Sequence, residues 1–388
     1  MGDYDNAITA KELNKANKQC RQGVSDKDSP VDWMLHSMLR CRQLKKRVIS
    51  GKYKPRKGVK VNIYRPKKRV ANAPHYGDRV WQRSMCNNGV YQDLTRSLIL
   101  DNYACQKGKG TDMAIRRVVQ ALQALHRMCP GKPVYGIHLD IKKYFPSTPH
   151  SKIRELDQKV IRDKRYVPFL NDVIDNSPDE RPKEEIEADP FGERGTGLGS
   201  QINQLHQVAL LDELDHELKT FCRFYFRYND DFLILDHDKA VVMRAKDVIE
   251  EHLAKLGLTL TVKEIFKAEH GFSFLRKRFI LKTTGKVIVR LHKDALADER
   301  KVLRKLKRDL DAGLTDMEHI RNHYQSIVAY FEYAGDAPIR AMDKYYTELF
   351  REKPKYKRKK RYLYGKDTNS ERKALQSGSR ERKTQGSA

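Results

Sequence analysis

The stretch FCRFYFRYNDDFLILD, residues 221 to 236, decides the fold of the chain around it. Two runs rich in aromatic and apolar residues flank a four-residue tip, Tyr228-Asn229-Asp230-Asp231. An Asn-Asp pair between such runs predicts a tight β-hairpin, because both residues tolerate a positive φ. The turn would present the adjacent carboxylates of Asp230 and Asp231, which cost desolvation energy unless a cation, usually a divalent metal, holds them. A solvated surface turn is the plain alternative, and the rest of the chain decides between the two.

A third acid lies upstream, in VYGIHLDIKKYFPSTPH, residues 134 to 150. The alternating pattern predicts a buried strand that ends at Asp140, where a carboxylate is costly unless it binds a ligand or accepts hydrogen bonds. If this strand and the hairpin are neighbours in one sheet, the three acids converge and can hold two divalent ions. Ligand sets made of oxygen alone predict magnesium, with manganese as the alternative.

The charge of the chain indicates a polyanionic partner. The formal net charge is +27 over 388 residues, and the pI is near 9.7. Nucleic acid is favoured over membrane, because no apolar run approaches the roughly 20 residues that a membrane span requires. The start of the chain lacks a signal-peptide pattern, so we expect a cytoplasmic protein. The six cysteines lack zinc-ligand spacing and are expected to be reduced thiols.

Cations and glycines in the first part of the chain predict contacts to phosphate. The segment from Gly51 to Val80 is typical of cationic β-hairpins that grip phosphates, with a merely solvated basic hairpin as the alternative. Farther on, Gly108 and Gly110 bracket Lys109 just before a predicted helix, which offers backbone N–H groups and a cation to an anion. The spacing is not that of a Walker A loop, and a plain capped turn is the competing interpretation.

Three later segments complete the pattern. Residues 151 to 192 are helical and then acidic and proline-containing, which predicts a surface insertion. In ERGTGLGSQINQ, residues 193 to 204, glycines precede an amphipathic helix and are expected to let the backbone approach a base pair or the template strand. Residues 297 to 350 have the apolar spacing of helices with a basic outer face, and the cation-rich tail after them is expected to be disordered unless bound.

The order of these parts resembles the palm of bacterial-type reverse transcriptases, which include those of group II introns, retrons, diversity-generating retroelements and phage-defence systems. LDIKKYFPS, GLGSQINQ, RYNDDFLIL and GFSFLRKRF match successive motifs, and DNYACQKGKGT resembles the segment before the palm in the diversity-generating group. The resemblance runs from about Lys52 to about Arg340. It implies an α+β right-hand polymerase with an N-terminal helical extension (1–50), fingers (51–133), an RRM/ferredoxin-like palm of antiparallel sheet with helices (134–285, including the 151–192 insertion), a helical thumb (286–350) and a basic tail (351–388).

The resemblance also implies roles for single residues. Asp140, Asp230 and Asp231 would be the catalytic, metal-binding carboxylates, and Ile141 would lend its backbone carbonyl to the metal. The expected cofactor is Mg²⁺, with Mn²⁺ as the alternative.

Substrate contacts are implied in the same way. Phe145 falls where an aromatic gate excludes a ribose 2′-hydroxyl, and Lys263 falls where a charged palm residue assists with pyrophosphate. The residues expected to bind the deoxynucleoside triphosphate are Lys67, Arg69, Arg79, Phe145, Leu198 and Lys263. The residues expected to bind nucleic acid are Lys107, Lys109, Gly199, Gln204, Gly271, Arg304, Lys305 and Arg308.

Departures from the patterns of related groups bear on the biological role. Leu198 stands where those enzymes have glutamine, as in the diversity-generating and several defence-associated enzymes. Asn203-Gln204 departs from the Ser-Gln of the diversity-generating group, which favours defence. Beyond Phe350 we expect no endonuclease domain, so intron mobility is not expected.

The function that the sequence predicts is RNA-directed DNA polymerisation. The partners would be a dedicated non-coding RNA template, a primer or growing cDNA, and deoxynucleoside triphosphates, in a bacterial or phage-encoded protein with no membrane contact. An oligomer stays possible. Diversity generation is the alternative to anti-phage defence. A non-enzymatic RNA-binding scaffold and a nucleotide cyclase are the alternatives of other classes.

Overall fold

The computed structural model describes residues 4–22, 28–63, 69–292 and 294–358. The chain divides into two compact units, with the boundary between Ala268 and Glu269. Antiparallel sheets and helices occur in both units, so the described chain is an α+β protein. The palm-to-thumb boundary that the sequence predicts, at residues 285/286, falls inside the second unit.

The strands of the described chain are β1 (Val59–Ile63), β2 (Arg69–Ala73), β3 (Tyr135–Ile141), β4 (Phe224–Tyr228), β5 (Asp231–Asp236), β6 (Leu260–Lys267), β7 (Phe272–Phe274), β8 (Lys277–Leu281) and β9 (Val287–Leu291). The α-helices are α1 (Tyr4–Ala7), α2 (Ala10–Cys20), α3 (Asp28–Leu35), α4 (Ser37–Ile49), α5 (Tyr76–Met85), α6 (Tyr91–Thr95), α7 (Thr111–Met128), α8 (Tyr144–Ser147), α9 (His150–Val160), α10 (Val167–Asp175), α11 (Lys183–Ala188), α12 (Gln201–Ala209), α13 (Asp212–Phe221), α14 (Lys239–Lys255), α15 (Ala295–Asp311), α16 (Met317–Phe331) and α17 (Asp336–Phe350). A kink over Cys86–Val90, in which Asn88 and Gly89 have non-helical backbone angles, joins α5 to α6.

The central sheet of the first unit has the strand order β4-β5-β3-β6, and each neighbouring pair is antiparallel. The apolar residues of β3, Ile137, Leu139 and Ile141, are buried in one core with residues of α13 and α14. Successive residues of a strand point to opposite faces, so His138 and Asp140 share the other face of the sheet. The predicted strand and the predicted hairpin are confirmed, and they are neighbours in one sheet.

A second core lies under the N-terminal helices and extends into the predicted insertion. Tyr166, Leu170 and Val173 are buried in the same cluster as Trp81 of α5. The prediction of a surface insertion over residues 151–192 is therefore wrong for its helical part, because the apolar face of α10 completes this core. The acidic part fits the prediction, since α11 has no buried residue.

The N-terminal helices differ from their sequence pattern. The apolar spacing over residues 31 to 49 predicts one amphipathic helix, but α3 ends at Leu35 and α4 begins at Ser37. The core instead takes Cys41, Leu44 and Val48 of α4. The apolar residues at the junction stay exposed, at 48% for Met34, 68% for Leu35, 52% for Met38 and 53% for Leu39.

The second unit contains the antiparallel sheet β7-β8-β9 and the helices α15, α16 and α17. Leu303, Ile320, Tyr324 and Phe331 lie in its core, which confirms the predicted apolar faces of α15 and α16. Within the described ranges no helix is both long enough and apolar enough to cross a membrane.

Candidate active site

The hairpin between β4 and β5 positions the paired acids. Tyr228 is opposite Asp231 in the register, so Asn229 and Asp230 form a two-residue turn. Asn229 has a φ of +57°, the left-handed conformation that asparagine adopts more readily than most residues. The local sequence thus fixes a tight turn that carries Asp230 at its tip and Asp231 at the start of β5.

The sheet register brings the third acid to the same place. Asp140 of β3 is directly opposite Asp231 of β5, and residues opposite each other in an antiparallel pair project from the same face. Two like charges in this arrangement repel each other. The Nζ atom of Lys263 lies 3.2 Å from Asp140 Oδ1 and 2.5 Å from Asp231 Oδ1. A cation therefore already lies between the two carboxylates.

A β-bulge in β6 accounts for the position of Lys263. In the pairing of β3 with β6, His138 is opposite Glu264 and Leu139 is opposite Val262. Lys263 is therefore the extra residue in β6. A bulge bends the strand and redirects a side chain. Here the redirected side chain reaches across β3 to the carboxylate on β5.

The three acids differ in their protonation equilibria. Burial raises the pKa of Asp140, and the charge of Asp231 adds to the rise while Lys263 opposes it. Burial also raises the pKa of Asp230, with further contributions from the charges of Asp140 and Asp231. Burial acts to raise the pKa of Asp231 too, but hydrogen bonds from His138 and Lys263, together with their charges, outweigh it and lower that pKa below its ordinary value. Burial and the neighbouring carboxylates together thus outweigh the effect of Lys263 on the pKa values of Asp140 and Asp230.

His138 was not predicted as a site residue. Its Nε2 atom lies 3.2 Å from Asp231 Oδ1, and its side chain is 10% exposed. The sequence holds a signal for it, because a residue two positions before Asp140 in an alternating strand shares its face.

A buried ion pair underlies the turn, and the sequence reasoning missed it as well. Arg227 and Asp215 are both 0% exposed, and Arg227 Nε and Nη2 each lie 2.7 Å from an oxygen of Asp215. Arg227 Nη1 donates to the backbone carbonyl of Asn229 at 3.1 Å, and Nη2 also donates to the carbonyl of Val208 at 2.7 Å. The signal was a charged residue within the apolar strand FYFRY, where a charge needs a partner.

The predicted gate and the glycine-rich segment are bound to each other. The carbonyl of Phe145 accepts hydrogen bonds from the backbone N–H of Thr196 at 2.8 Å and from its hydroxyl at 3.2 Å. The carbonyl of Leu198 accepts one from the N–H of Asn72 in β2 at 2.7 Å. The Phe145 side chain is half-buried beside Tyr144.

Gly199 approaches the chain itself. A Cβ atom at this position would lie 2.8 Å from the carbonyl oxygen of Asn72, and the φ of Gly199 is +120°. Within the protein, the backbone neighbour of this glycine is therefore β2, and its approach to a base pair or template strand stays a prediction. Gln204 is exposed on α12, whereas Asn203 beside it is buried and donates to the carbonyl of Gly197 at 3.1 Å.

Other predicted contact residues have partners within the protein. The ammonium of Lys109 donates to the carbonyls of Ile99, Leu100 and Asn102 at 3.0 to 3.1 Å, which uses its three N–H donors. Burial lowers the pKa of Lys109 to about 8. Lys107 is exposed, with its ammonium 4.7 Å from the centre of the Tyr91 ring.

The predicted triphosphate contacts in the N-terminal region are described only in part. The guanidinium of Arg79 lies over the ring of Tyr76 at 5.8 Å. Arg69 begins β2 in the backbone, and Lys67 lies outside the described residues. The register of β1 with β2 confirms a hairpin here.

In the second unit, three predicted nucleic-acid contacts lie on one helix. Arg304, Lys305 and Arg308 are exposed on α15, and Arg304 also donates to the hydroxyl of Tyr345 at 3.4 Å. Gly271 has a φ of +81°, and a Cβ atom there would lie 2.8 Å from Ile280. The structure thus requires glycine at this turn before β7.

Comparisons with known proteins give distant structural similarities. No model of a known protein family matches the sequence. A search of curated proteins finds no match. Among solved structures, the chain is similar to an apo telomerase from Candida tropicalis truncated from its C-terminal domain, with 13% identity, a TM-score of 0.44, and coverage of 65% of this chain and 60% of that chain.

Two further solved structures are similar to a comparable degree. A telomerase from Candida albicans in complex with the TWJ fragment of telomeric RNA has 10% identity and a TM-score of 0.45, over 76% of this chain and 55% of that chain. An apo telomerase from Candida tropicalis has 14% identity and a TM-score of 0.44, over 81% of this chain and 64% of that chain. The chain spans less than two thirds of each of these telomerase chains.

Proposed function

We propose that this chain is an RNA-directed DNA polymerase that adds deoxynucleotides to a primer on an RNA template. The observation that carries the proposal is the convergence of Asp140, Asp230 and Asp231 at one end of the central sheet, with Asp140 directly opposite Asp231. Two separate sequence motifs supply these acids, and the register of β3 with β5 joins them.

The donor set fits divalent metal of the magnesium class. All three candidate ligands are carboxylates, and the Lys263 ammonium between Asp140 and Asp231 occupies a position where positive charge is favourable. Burial, together with the charges of the neighbouring carboxylates, raises the pKa values of Asp140 and Asp230, and a nearby cation would favour their ionised forms. Mg²⁺, with Mn²⁺ as the alternative, would be held by these acids and by the carbonyl of Ile141, and would supply activation of the primer hydroxyl and stabilisation of the leaving pyrophosphate.

The protein's own residues define the rest of the proposed reaction. The hydrogen bonds from His138 and Lys263 hold Asp231 ionised, so that it stays a ligand at neutral pH. Lys263 is flexible enough to leave the carboxylates and meet the pyrophosphate. Phe145 would exclude a ribose 2′-hydroxyl, and the hydrogen bonds to Thr196 keep its backbone in place.

The charge of the chain supports a nucleic-acid substrate. A net charge of +27 gives strong, salt-dependent attraction to phosphates. The exposed cations Arg304, Lys305 and Arg308 form a basic surface on α15 that we assign to the template–primer duplex.

The proposed setting is a bacterial or phage-encoded defence system with a dedicated non-coding RNA as template. Asn203-Gln204 favours this setting over the diversity-generating one. The second candidate is diversity generation, which the similarity of DNYACQKGKGT favours. Sequencing the RNA and cDNA that co-purify with the protein separates them, because a cDNA copied from a repeat of a variable target gene would support only diversity generation.

The test of the activity is primer extension on an RNA template with magnesium. We expect incorporation of deoxynucleotides by the unaltered protein and none above background after Asp230→Asn with Asp231→Asn. The matched control is Asp236→Asn, which removes a carboxylate from the other end of the same strand and should leave the rate unchanged. Incorporation that survives the double substitution would refute the metal assignment. RNA binding without incorporation by the unaltered protein would instead support the non-enzymatic scaffold.

A further inference from the structure

A second group of potential metal ligands lies at the base of the 151–192 segment. Among the described residues, the ligand atoms of His150, Asp175 and Glu193 all lie within 4.8 Å of one another. His150 begins α9, Asp175 ends α10, and Glu193 precedes Arg194, whose bridge to Pro149 closes the segment. The group therefore joins both ends of the segment to the end of α10.

The hydrogen bonding of His150 fixes which ring nitrogen carries the hydrogen. Its Nε2 atom lies 2.7 Å from the carbonyl oxygen of Gly195, and a carbonyl only accepts, so Nε2 is the donor. In the neutral ring, Nδ1 then has a free lone pair. His150 is 1% exposed, and no described group gives Nδ1 a hydrogen bond.

The nearest group to this lone pair is another acceptor. Glu193 Oε2 lies 3.3 Å from His150 Nδ1. A lone pair that faces a carboxylate oxygen is stable only when a cation lies between or beside them, and that cation is either a proton on the ring or a metal ion. Histidine ligands of metals commonly donate their other ring N–H to a backbone carbonyl, as His150 does.

We propose that His150 Nδ1, Glu193 and Asp175 bind a divalent transition-metal cation of the zinc class. One imidazole nitrogen with carboxylate oxygens suits such ions better than magnesium, which prefers oxygen alone. Glu193 and Asp175 are 57% and 52% exposed, so the ion reaches them from solvent. The guanidinium of Arg154 contacts Asp175 Oδ1, and the ion shares or replaces that contact.

The bound ion would stabilise the connection that carries the predicted gate. The segment after Glu193 hydrogen-bonds back through the N–H of Gly195 to Thr148 and the N–H of Thr196 to Phe145. A metal that joins His150 to Glu193 binds the folded site and not the unfolded chain, so its binding free energy stabilises the folded connection.

The experiment uses the full chain, from which a chelator first removes bound metal. Co²⁺ is then titrated in the presence of excess Mg²⁺, which occupies the site formed by Asp140, Asp230 and Asp231. The readouts are the visible absorption of bound Co²⁺ and the midpoint of thermal unfolding. We expect saturable binding that raises the midpoint. Glu193→Gln and Asp175→Asn alter exposed side chains and should leave the fold intact. Because loss of a second-shell partner alone weakens metal binding by about 10- to 100-fold, loss of a ligand should cost at least about tenfold in affinity.

The control is His216→Gln. His216 has the same pairing with a backbone carbonyl, that of Ser97 at 2.9 Å, and lies 3.6 Å from Asp212, but it has no third ligand among the described residues. Its affinity should equal that of the unaltered protein. Unchanged Co²⁺ affinity in both Glu193→Gln and Asp175→Asn would overturn the proposal. Absence of saturable Co²⁺ binding by the unaltered protein would do the same and leave the protonated His150–Glu193 pair as the explanation.

Discussion

Breaking the ion pair between Arg227 and Asp215 should destabilise the protein and disturb the turn that carries the paired acids. Both side chains are fully buried and joined by two contacts of 2.7 Å. Asp215→Asn leaves the guanidinium buried without its counter-charge, which costs about 3–5 kcal/mol. Tyr225 and Asn102 also donate to Asp215, at 2.6 Å and 3.1 Å, so these bonds are weakened together with the ion pair. Urea unfolding at neutral pH measures the loss.

A paired substitution separates stability from positioning. Arg227→Met with Asp215→Leu replaces both buried charges by apolar side chains, so the part of the loss that comes from the unpaired guanidinium should be regained. The cost of leaving the Tyr225 hydroxyl and the Asn102 amide without their acceptor remains. The hydrogen bond from Arg227 to the carbonyl of Asn229 stays lost. Since a displacement of about 1 Å in a reacting group costs about 100-fold in rate, kcat for primer extension should remain low.

Two results would refute this reasoning. A destabilisation by Asp215→Asn below about 1 kcal/mol, the range of exposed pairs, would mean that the ion pair does not contribute as a buried one. Full kcat in the Arg227→Met, Asp215→Leu protein would mean that the turn keeps its position without the guanidinium.

Three further predictions concern residues around the candidate site. Lys263→Met removes a group that lowers the pKa of Asp231, and a lowered carboxyl pKa stabilises the folded protein at pH values above the unfolded pKa but not in acid. The loss of stability in this variant, measured by urea unfolding, should therefore be present at neutral pH and vanish in acid, and a loss that is independent of pH would contradict the prediction. Gly199→Ala should lower the free energy of unfolding by about 1–3 kcal/mol, and by more than Gly192→Ala, because both glycines have a positive φ but of the two only Gly199 has other atoms within 4 Å of an added Cβ. Equal losses of stability in unfolding experiments would show that this contact is unimportant. Phe145→Ala should reduce discrimination against ribonucleotides by about 10- to 200-fold, the range of steric selection in a pocket, and an unchanged ratio of kcat/KM values would remove Phe145 from the gate.

The local pattern of the sequence predicted the parts of the site that depend on neighbouring residues. The alternation before Asp140 and the Asn229-Asp230 turn each specify a strand end, and these are confirmed. The sequence did not predict that β3 and β5 are neighbours. The convergence of the acids could be stated only for the case that they are, because strand order depends on contacts between residues far apart in sequence. The bulge at Lys263 could not be predicted, since a single extra residue leaves no mark on the apolar pattern of an exposed edge strand.

The segment from Asp101 to Gly110 shows why a motif that suggests binding can have a supporting role. Arg227 donates its backbone N–H to the carbonyl of Asp101, and its own carbonyl accepts from Tyr103, so this segment lies along β4 beside the turn. Lys109 donates to the carbonyl of Asn102 in the same segment and to those of Ile99 and Leu100 just before it. Asn102 in turn donates to Asp215 of the buried ion pair. The lysine of this motif therefore holds together the backbone next to the residues that pair with Arg227. A lysine between glycines has the same sequence signature whether it binds phosphate or backbone carbonyls, and only the tertiary contacts distinguish the two. The segment around Asp101 and the turn with the paired acids thus belong to one hydrogen-bonded structure, in which Arg227 bonds to the turn, to Asp215 and to that segment. We therefore expect the position of the turn to depend on Arg227, and the position of Arg227 to depend on both of its other partners.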